Sequence, residues 1–558
     1  MNETNPTAGA IVYQALKKHG VTCLFGMEDP IHVIHAADPD FTRIVTVRDE
    51  KHGAIMAHGY AQVTGRPGVC AATCGPGATN LITGLLEALR SSVPVVALVQ
   101  DQPSAVKGRN AASELDHAAA LGPFTKAVLR IDRPDESAEI TDRAFLLATT
   151  GRPGAVAVLC PTDVMVARVE SQGPEASIGT DRTPPDPAAI AAAARLLADA
   201  ERPVFVAGGG CHNAAAAPQV IALAERFAAP IATTMTGRGI VADAHPLAIG
   251  PIGTTTGGKL GRGRIANTVL NEADVVLIIG SRTGQICYSD WTLPGPNARL
   301  VHIDIDSAEI GRNFPTEVAL VGDARETLIA LEAACADAGL ADRQRDNGGR
   351  IAAMKDAWAE AIAPLSASMK QPIQPERLLA EIDAMVTDDT LIVTDASFVT
   401  GWGLSQITVP TSGRFALSPR GTGGIGWALP AAIGAKLGDP ARQVICLTGD
   451  GAFGYVMAEL ETAKRHDVSL LVVVFNNGTL GFQRHYEEML MGSYRDCDFL
   501  DIDYSEVGRA LKCDGERVVD PRDIGDALAR GRAAHGPYVI DVVIDPEAKA
   551  PVVGLETG

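Results

Sequence analysis

Val444-Ile-Cys-Leu-Thr-Gly-Asp-Gly451 decides the fold, and Leu470-Leu-Val-Val-Val-Phe-Asn-Asn477 completes the reading. Both runs are short, apolar and rich in β-branched residues, and each stops at Gly, Asp or Asn. That is the pattern of buried strands in a parallel sheet. Asp450 then stands at a strand's carboxyl end, where open α/β sheets bind ligands. Residues 452–464 read as the following helix, whose first amides can meet an anion while Gly451 lets the backbone come close. One strand–helix–strand crossover later, Asn477 ends the next strand. Asp450 and Asn477 can therefore offer hard oxygens to one Mg²⁺ ion. Alone, Gly-Asp-Gly is commonly a turn and Asn-Asn-Gly a loop; their pairing on two strand ends points to a metal–diphosphate anchor.

A chain of 558 residues exceeds one core. Polar stretches at 171–187 and 341–349 divide it into blocks of 1–170, 185–340 and 370–558. Each block alternates strand-like and helix-like segments, which predicts an α/β protein of three doubly wound parallel-sheet domains. Strands are expected at 69–74 and 93–99; at 204–207, 275–279 and 300–305; and at 391–394, 444–447, 470–475 and 539–544. Thr7 is placed to cap a first helix burying Ile11, Ala15 and Leu16, with Gly20 as its stop.

The formal charge of −19 and only 4% aromatic residues argue against a nucleic-acid partner. No apolar run reaches membrane-span length, and residues 1–10 lack a secretory pattern. The 10 Cys are scattered without a Cys-x-x-Cys pair, so neither zinc nor a disulfide frame is expected. Cys70 and Cys446 read as small buried thiols. The expectation is a reduced, cytoplasmic protein acting on a small molecule.

Further motifs stand beside the anchor: Glu50 ahead of Ala54-x-x-x-His-Gly-Tyr-Ala61, Cys74-Gly-Pro-Gly-Ala-Thr-Asn80, Gly423-Gly-Ile-Gly-Trp-Ala-Leu-Pro430, and His302-Ile-Asp-Ile-Asp-Ser-Ala-Glu-Ile-Gly311. With them the chain resembles, over nearly its whole length, the thiamine-diphosphate enzymes, and most closely their acetolactate-synthase-like branch. The resemblance implies pyrimidine-binding, central and diphosphate-binding domains in that order. It implies that Asp450, Asn477 and the carbonyl of Thr479 bind Mg²⁺, and that Gly75, Gly449, Gly451 and Ala452 lie against the cofactor. By the same likeness Glu50 activates the aminopyrimidine ring, Ile425 wedges the cofactor into a V, and the Gly423 carbonyl meets the pyrimidine amine. The family places Glu50 and Asp450 of one site on different subunits, which implies a homodimer or homotetramer. Relatives carry FAD or an ADP group in the central domain, so here it would hold either or neither.

The resemblance loosens around the substrate. Met27-Glu28-Asp29-Pro30 follows Phe25-Gly26 where acetolactate synthases have Pro-Gly-Gly. Ala112, Ser113, Ile286 and Tyr486 align with an aromatic residue, a Gln, a carboxylate-gripping Arg and a Trp. Without that Arg, a second pyruvate is not the expected acceptor. Glu28 and Asp29 are the expected additional catalytic acids, ahead of His32, His35, His117 and His485, each of which more readily fills a structural hydrogen bond. Lys126 matches a family Lys. The expected activity is a C–C bond lyase or carboligase acting on a 2-oxo acid or related carbonyl compound. The alternative is an acyl-CoA enzyme resembling 2-hydroxyacyl-CoA lyase or oxalyl-CoA decarboxylase. A cofactor-binding but catalytically silent subunit is a third class, and Glu50 argues against it.

Two phosphate-like signals stand apart. Gly253-Thr-Thr-Thr-Gly-Gly-Lys259 has Walker-loop spacing, but Leu260 follows where Ser or Thr must hold Mg²⁺. Ala207-Gly-Gly-Gly210 is a weak dinucleotide-like turn.

Overall fold

Thr7 caps the first helix, Ala8–Lys18, by accepting a hydrogen bond from Ala10 N, and Gly20 turns the chain out of it at φ +71°. This is the start expected from the sequence. In the computed structural model the described residues are 5–170, 185–340 and 346–555. The polar stretch at 171–187 lies outside them up to residue 184, and 341–345 likewise. Residues 347–349, taken as linker, instead open the helix Asn347–Ser366, because Asp346 caps it through Gly349 N.

The apolar runs form three six-stranded sheets in which all paired strands are parallel. The first holds β1 (Cys23–Gly26), β2 (Arg43–Thr46), β3 (Gly68–Ala72), β4 (Val95–Asp101), β5 (Ala127–Arg130) and β6 (Ala155–Pro161), in the order 2-1-3-4-6-5. The second holds β7 (Pro203–Ala207), β8 (Ile231–Thr233), β9 (Ala248–Pro251), β10 (Val275–Ile279), β11 (Arg299–Asp304) and β12 (Val318–Val321), ordered 12-11-10-7-8-9. The third holds β13 (Thr390–Thr394), β14 (Ala416–Leu417), β15 (Gln443–Gly449), β16 (Leu470–Asn476), β17 (Asp514–Val518) and β18 (Pro537–Val543), ordered 14-13-15-16-18-17. Counted from its own first strand, the third sheet repeats the order of the first. The three-domain α/β expectation holds.

The repeat extends to the helices. Glu50–Thr64 follows β2, and Ala428–Gly438 follows β14. After β3 a short helix, Pro76–Asn80, precedes Ile82–Arg90; after β15 a short helix, Asp450–Gly454, precedes Glu459–Arg465. The single helix expected over 452–464 is therefore corrected to two. Gly454 weakens helix propensity, and Tyr455 and Val456 turn to meet Gly426, whose added Cβ would lie 2.8 Å from Tyr455 Cβ.

Strands expected from the sequence are present within a few residues, and their side chains are mostly buried on both faces. The Glu50–Thr64 and Ala428–Gly438 helices join the first and third domains in one apolar core. Backbone meets backbone there: a Cβ on Gly59 would lie 2.2 Å from Ala431 O, and one on Gly434 would lie 1.9 Å from Met56 O. All ten Cys are free, and burial pushes the Cys70 thiol up to about 12. Among the described residues no helix is long and apolar enough to cross a membrane.

Gly434→Ala should therefore destabilise the protein by about 2 kcal/mol or more, because the obstructing atom is backbone. Gly122→Ala, where an added Cβ meets nothing within 4 Å, should change stability by less than about 0.5 kcal/mol. Chemical denaturation of the two variants checks the contrast.

Candidate active site

The carboxyl ends of β15 and β16 lie side by side, with Gly449 paired to Phe475. Asp450 follows at once and is buried. Its Oδ1 accepts from Gly451 N at 2.8 Å and its Oδ2 from Gly478 N at 2.7 Å, so one carboxylate ties the two strand ends together. Burial, with Asp541 adding to it, pushes the Asp450 carboxyl up to about 6 against those two hydrogen bonds. No Lys or Arg among the described residues pairs with it. Asn477 Oδ1 accepts from Thr479 N at 3.3 Å, and the Thr479 carbonyl accepts from Gly481 N at 2.9 Å. Asn476, by contrast, is structural: its amide donates to Ile502 O and Asp541 Oδ1.

This donor set suits a hard dication. Asp450 is a buried carboxylate without a cation, and Asn477 and Thr479 add neutral oxygens within the same turn. Among the described residues no three His, Cys, Asp or Glu cluster as a self-sufficient metal site, so a diphosphate would have to supply further oxygens. Gly449 and Gly478 leave room for one. A Cβ on Gly449 would meet nothing nearer than 3.9 Å, and one on Gly478 nothing within 4 Å. Ala452 is buried beneath this floor.

The span 423–425 is also open ground. Gly423, at φ +72°, and Gly424 would each place a Cβ no closer than 4.0 Å to any atom. Their neighbours Gly421 and Gly426 are tightly packed, since an added Cβ would come within 2.7 Å of Glu87 O and 2.8 Å of Tyr455 Cβ. Ile425, half-buried, ends the span. Behind it Asp395, at the carboxyl end of β13, accepts from Gly426 N, Trp427 N and Ala428 N at 3.0–3.1 Å. A bulky apolar side chain beside a glycine shelf fits a flat ring held between two domains.

In the first domain Glu50 begins its helix, and Asp49 is the cap. The side chain is only 6% exposed, and its Oε2 accepts from Asn80 Nδ2 at 2.9 Å. Gly77 lies against it, since an added Cβ would sit 3.0 Å from Glu50 Oε1. Gly75, at φ +64°, has no room for a side chain, since a Cβ would lie 2.8 Å from Ser113, and it donates its N–H to His117 Nε2 at 2.8 Å. His117 Nδ1 bonds Asp101 Oδ1 at 2.9 Å. Burial opposes the Asp101 charge, but hydrogen bonds from His117 and Arg130 hold it below the usual aspartate value. Gln102 Nε2 donates to Ala112 O at 2.7 Å and so fixes the next wall residue. The structure thus gathers Glu50, Gly75, Ala112, Ser113 and His117 at the carboxyl ends of β3 and β4. Sequence spacing did not reveal the Asp101–His117 pair, because its members lie on a strand end and a separate helix.

Glu28 is exposed at the carboxyl end of β1, and Asp29 accepts from Ile31 N at 3.1 Å beside a cis Asp29–Pro30 bond. Ile286 is 50% exposed, and Tyr486 stacks on Phe482. His485 is structural: Nδ1 bonds Glu488 and Nε2 bonds the Pro546 carbonyl. Lys126 Nζ donates to the carbonyls of Leu147, Thr150 and Arg152, closing the end of the Ser137–Thr149 helix. The Walker-like stretch is a loop, as expected, and is tied to the segment 551–553: Gly258 N donates to Pro551 O, and Thr254 O accepts from Val553 N. The glycines of the turn after β7 serve packing, for a Cβ on Gly208 would lie 2.2 Å from Gly280 O and one on Gly210 2.8 Å from Gly280 Cα. No hydrogen bond among the described residues links Glu50 to Asp450 or to the span 423–425.

Two α/β domains of the same strand order thus carry a buried carboxylate beside open glycine faces in one and a buried helix-start carboxylate in the other. Family models of the thiamine pyrophosphate enzymes match all three domains: the N-terminal TPP binding domain over residues 6–120, the central domain over 190–331, and the C-terminal TPP binding domain over 395–542. The chain belongs to the thiamine pyrophosphate enzyme family and is a thiamine-diphosphate-dependent enzyme of its acetolactate-synthase-like branch. It is 32% identical to a probable acetolactate synthase large subunit of Methanocaldococcus jannaschii, over 97% of this chain and 92% of that protein. It is 32% identical to the acetolactate synthase of Mycobacterium leprae, over 97% and 88%, and 30% identical to the large subunit from Parasynechococcus marenigrum, over 96% and 87%.

Lys126→Met should lower stability by about 1–2 kcal/mol through loss of its carbonyl bonds. Turnover per folded molecule should stay unchanged, which denaturation and active-site titration together would check.

Proposed function

We propose that this protein is a thiamine-diphosphate- and Mg²⁺-dependent carboligase whose donor is a 2-oxo acid or related carbonyl compound. The observation that carries the reading is Asp450, a buried carboxylate without a cationic partner that bonds the amides of both Gly451 and Gly478 beside open glycine faces. When bound, thiamine diphosphate supplies a thiazolium carbanion that adds to a carbonyl. Asp450, Asn477 and the Thr479 carbonyl hold Mg²⁺ and the diphosphate, with Gly449, Gly451 and Ala452 as the floor. With the cofactor bound, Gly423 would offer its carbonyl to the pyrimidine side and Ile425 would pack against the rings. Glu50, buried at its helix start, would hold and pass the proton of the aminopyrimidine, and Gly75 would line the same side. Glu28 and Asp29, at the end of β1, handle protons on the substrate.

Ile286 and Ala112 carry no guanidinium at the two positions where the resemblance expects acceptor contacts, which supports a neutral carbonyl acceptor over a second 2-oxo acid carboxylate. The acyl-CoA alternative is not favoured, since the relatives above are named as acetolactate synthases. The working unit we infer is a homodimer or homotetramer: no hydrogen bond among the described residues links Glu50 to Asp450 within one chain, and Met489, Leu490, Met491 and Leu500 expose apolar surface in the diphosphate-binding domain. We place its three domains at 1–170, 185–340 and 370–558.

Incubating the holoenzyme with a panel of 2-oxo acids, with and without aldehydes, should give CO2 release and a ligated product with at least one pair. No turnover across the panel overturns the substrate class. Glu50→Gln should reduce turnover by about 100-fold or more while leaving cofactor affinity nearly unchanged. Asp450→Asn should instead weaken Mg²⁺ and cofactor binding by about tenfold or more, as read by fluorescence titration.

A further inference from the structure

We infer that Glu87 and Glu459 are a reciprocal pair of positioning residues. Each reaches from one cofactor-binding domain into the other and holds the segment beside a group that would touch the cofactor. The inference rests on the proposed roles of Glu50, Gly423 and Ile425.

Glu87 lies on Ile82–Arg90, after β3, and is 2% exposed. Its Oε1 accepts from Gly421 N at 2.7 Å and Ser91 Oγ at 2.7 Å; its Oε2 accepts from Thr422 N at 2.7 Å and Thr422 Oγ1 at 2.6 Å. Glu459 lies at the matching place after β15 and is fully buried. Its Oε1 accepts from Arg48 N at 2.9 Å and meets His52 Nδ1 at 2.8 Å, while its Oε2 accepts from Thr462 Oγ1 at 2.7 Å. Thus Glu87 grips the two residues before Gly423, and Glu459 grips residues on both sides of Glu50.

A buried carboxylate is retained only where donors satisfy it, and here most donors belong to the opposite domain. Each could have been replaced by an apolar contact if only domain adhesion were needed. The span 423–425 also needs such a hold. Two open glycines give it wide conformational freedom, and Asp395 fixes only its far end. At Gly421 the loop lies flat on the Glu87 helix, where a Cβ would come 2.7 Å from Glu87 O. His58, fully buried near Glu87 with no hydrogen bond to either ring nitrogen among the described residues, is held neutral by burial at about 4. The donors that fix Glu87 in place are therefore the loop amides, the Thr422 hydroxyl and Ser91.

Hydrogen exchange of the apo protein and fluorescence titration with thiamine diphosphate and Mg²⁺ test the pair. Glu87→Gln turns one acceptor oxygen into a donor facing a backbone N–H whichever way its amide lies, because both oxygens meet one. A Gln at 459 would turn its NH2 to the Thr462 hydroxyl and keep an oxygen for Arg48 N, so Glu459→Leu, which removes both acceptors, is the variant used beside Glu50. Exchange should quicken about tenfold or more at 420–427 in Glu87→Gln and at 47–53 in Glu459→Leu, while β16 exchanges as in the parent. Cofactor affinity should fall about tenfold in Glu87→Gln. In Glu459→Leu, turnover should fall more than affinity. Thr422→Val, which removes only the hydroxyl contact, should give a smaller change at 420–427. Unchanged local exchange overturns the inference, as does exchange that quickens equally everywhere. If exchange changes locally but neither Glu87→Gln nor Ile425→Ala alters cofactor affinity, the clamps stand as structure, and the proposed cofactor contacts and the positioning role fail together. If Ile425→Ala weakens binding and Glu87→Gln does not, only the positioning role fails.

Discussion

The contact between the Glu50–Thr64 and Ala428–Gly438 helices is the constraint from which the site follows. Gly59 and Gly434 let two helices from different domains touch backbone to backbone, with the would-be Cβ positions at 2.2 and 1.9 Å from carbonyl oxygens. Any side chain at either place would push the domains apart. Because Glu50 begins the first helix and Ile425 precedes the second, the crossing sets where both groups lie on the molecule. The same crossing brings the Glu87 and Glu459 helices within reach of the opposite domain.

The shared strand order makes this economical. Each outer domain places a loop leading into a helix after its second strand, and a broken helix after its third. In the first domain that helix starts at Glu50, and the broken helix carries Gly77 and Glu87. In the third the loop carries Ile425, and the broken helix carries Asp450 and Glu459. One topology thus yields two chemically opposite surfaces. The first is a walled carboxyl pocket with Asn80 as its donor. The second is an open, glycine-lined floor with an unpaired buried carboxylate.

Much of this was legible in the sequence because it is written in local rules. Buried parallel strands are continuous β-branched runs, so β10, β15 and β16 show themselves without a partner. The anchor shows for the same reason: Asp450 and Asn477 sit where two such runs end. Weak or edge strands such as β2, β5, β12 and β17 are only partly buried, and their mixed residues carry no comparable pattern. The helix expected over 452–464 failed because its break is set by the packing of Gly426 on Tyr455 from elsewhere in the chain. The Asp101–His117 and Glu87–Thr422 contacts were hidden for the same reason. A buried polar pair depends on a tertiary approach, and neither residue type nor spacing announces it.

That difference explains why the cofactor is easier to read than the substrate. A diphosphate and a dication demand hard oxygens and bare backbone at strand ends, so glycine and Asp must appear at set places in the chain. A carbonyl acceptor demands only the right shape and polarity, and the segments proposed to supply it are unrelated: β1's end with Glu28 and Asp29, Ala112, the loop at Ile286 and the helix at Tyr486. Each can change without disturbing a strand or the glycine crossing. The anchor, fixed by packing and by charge at once, cannot. Substitutions at these positions should therefore leave the strands and the crossing intact, whereas those at Asp450, Glu50 or the two cross-domain glutamates break buried hydrogen bonds.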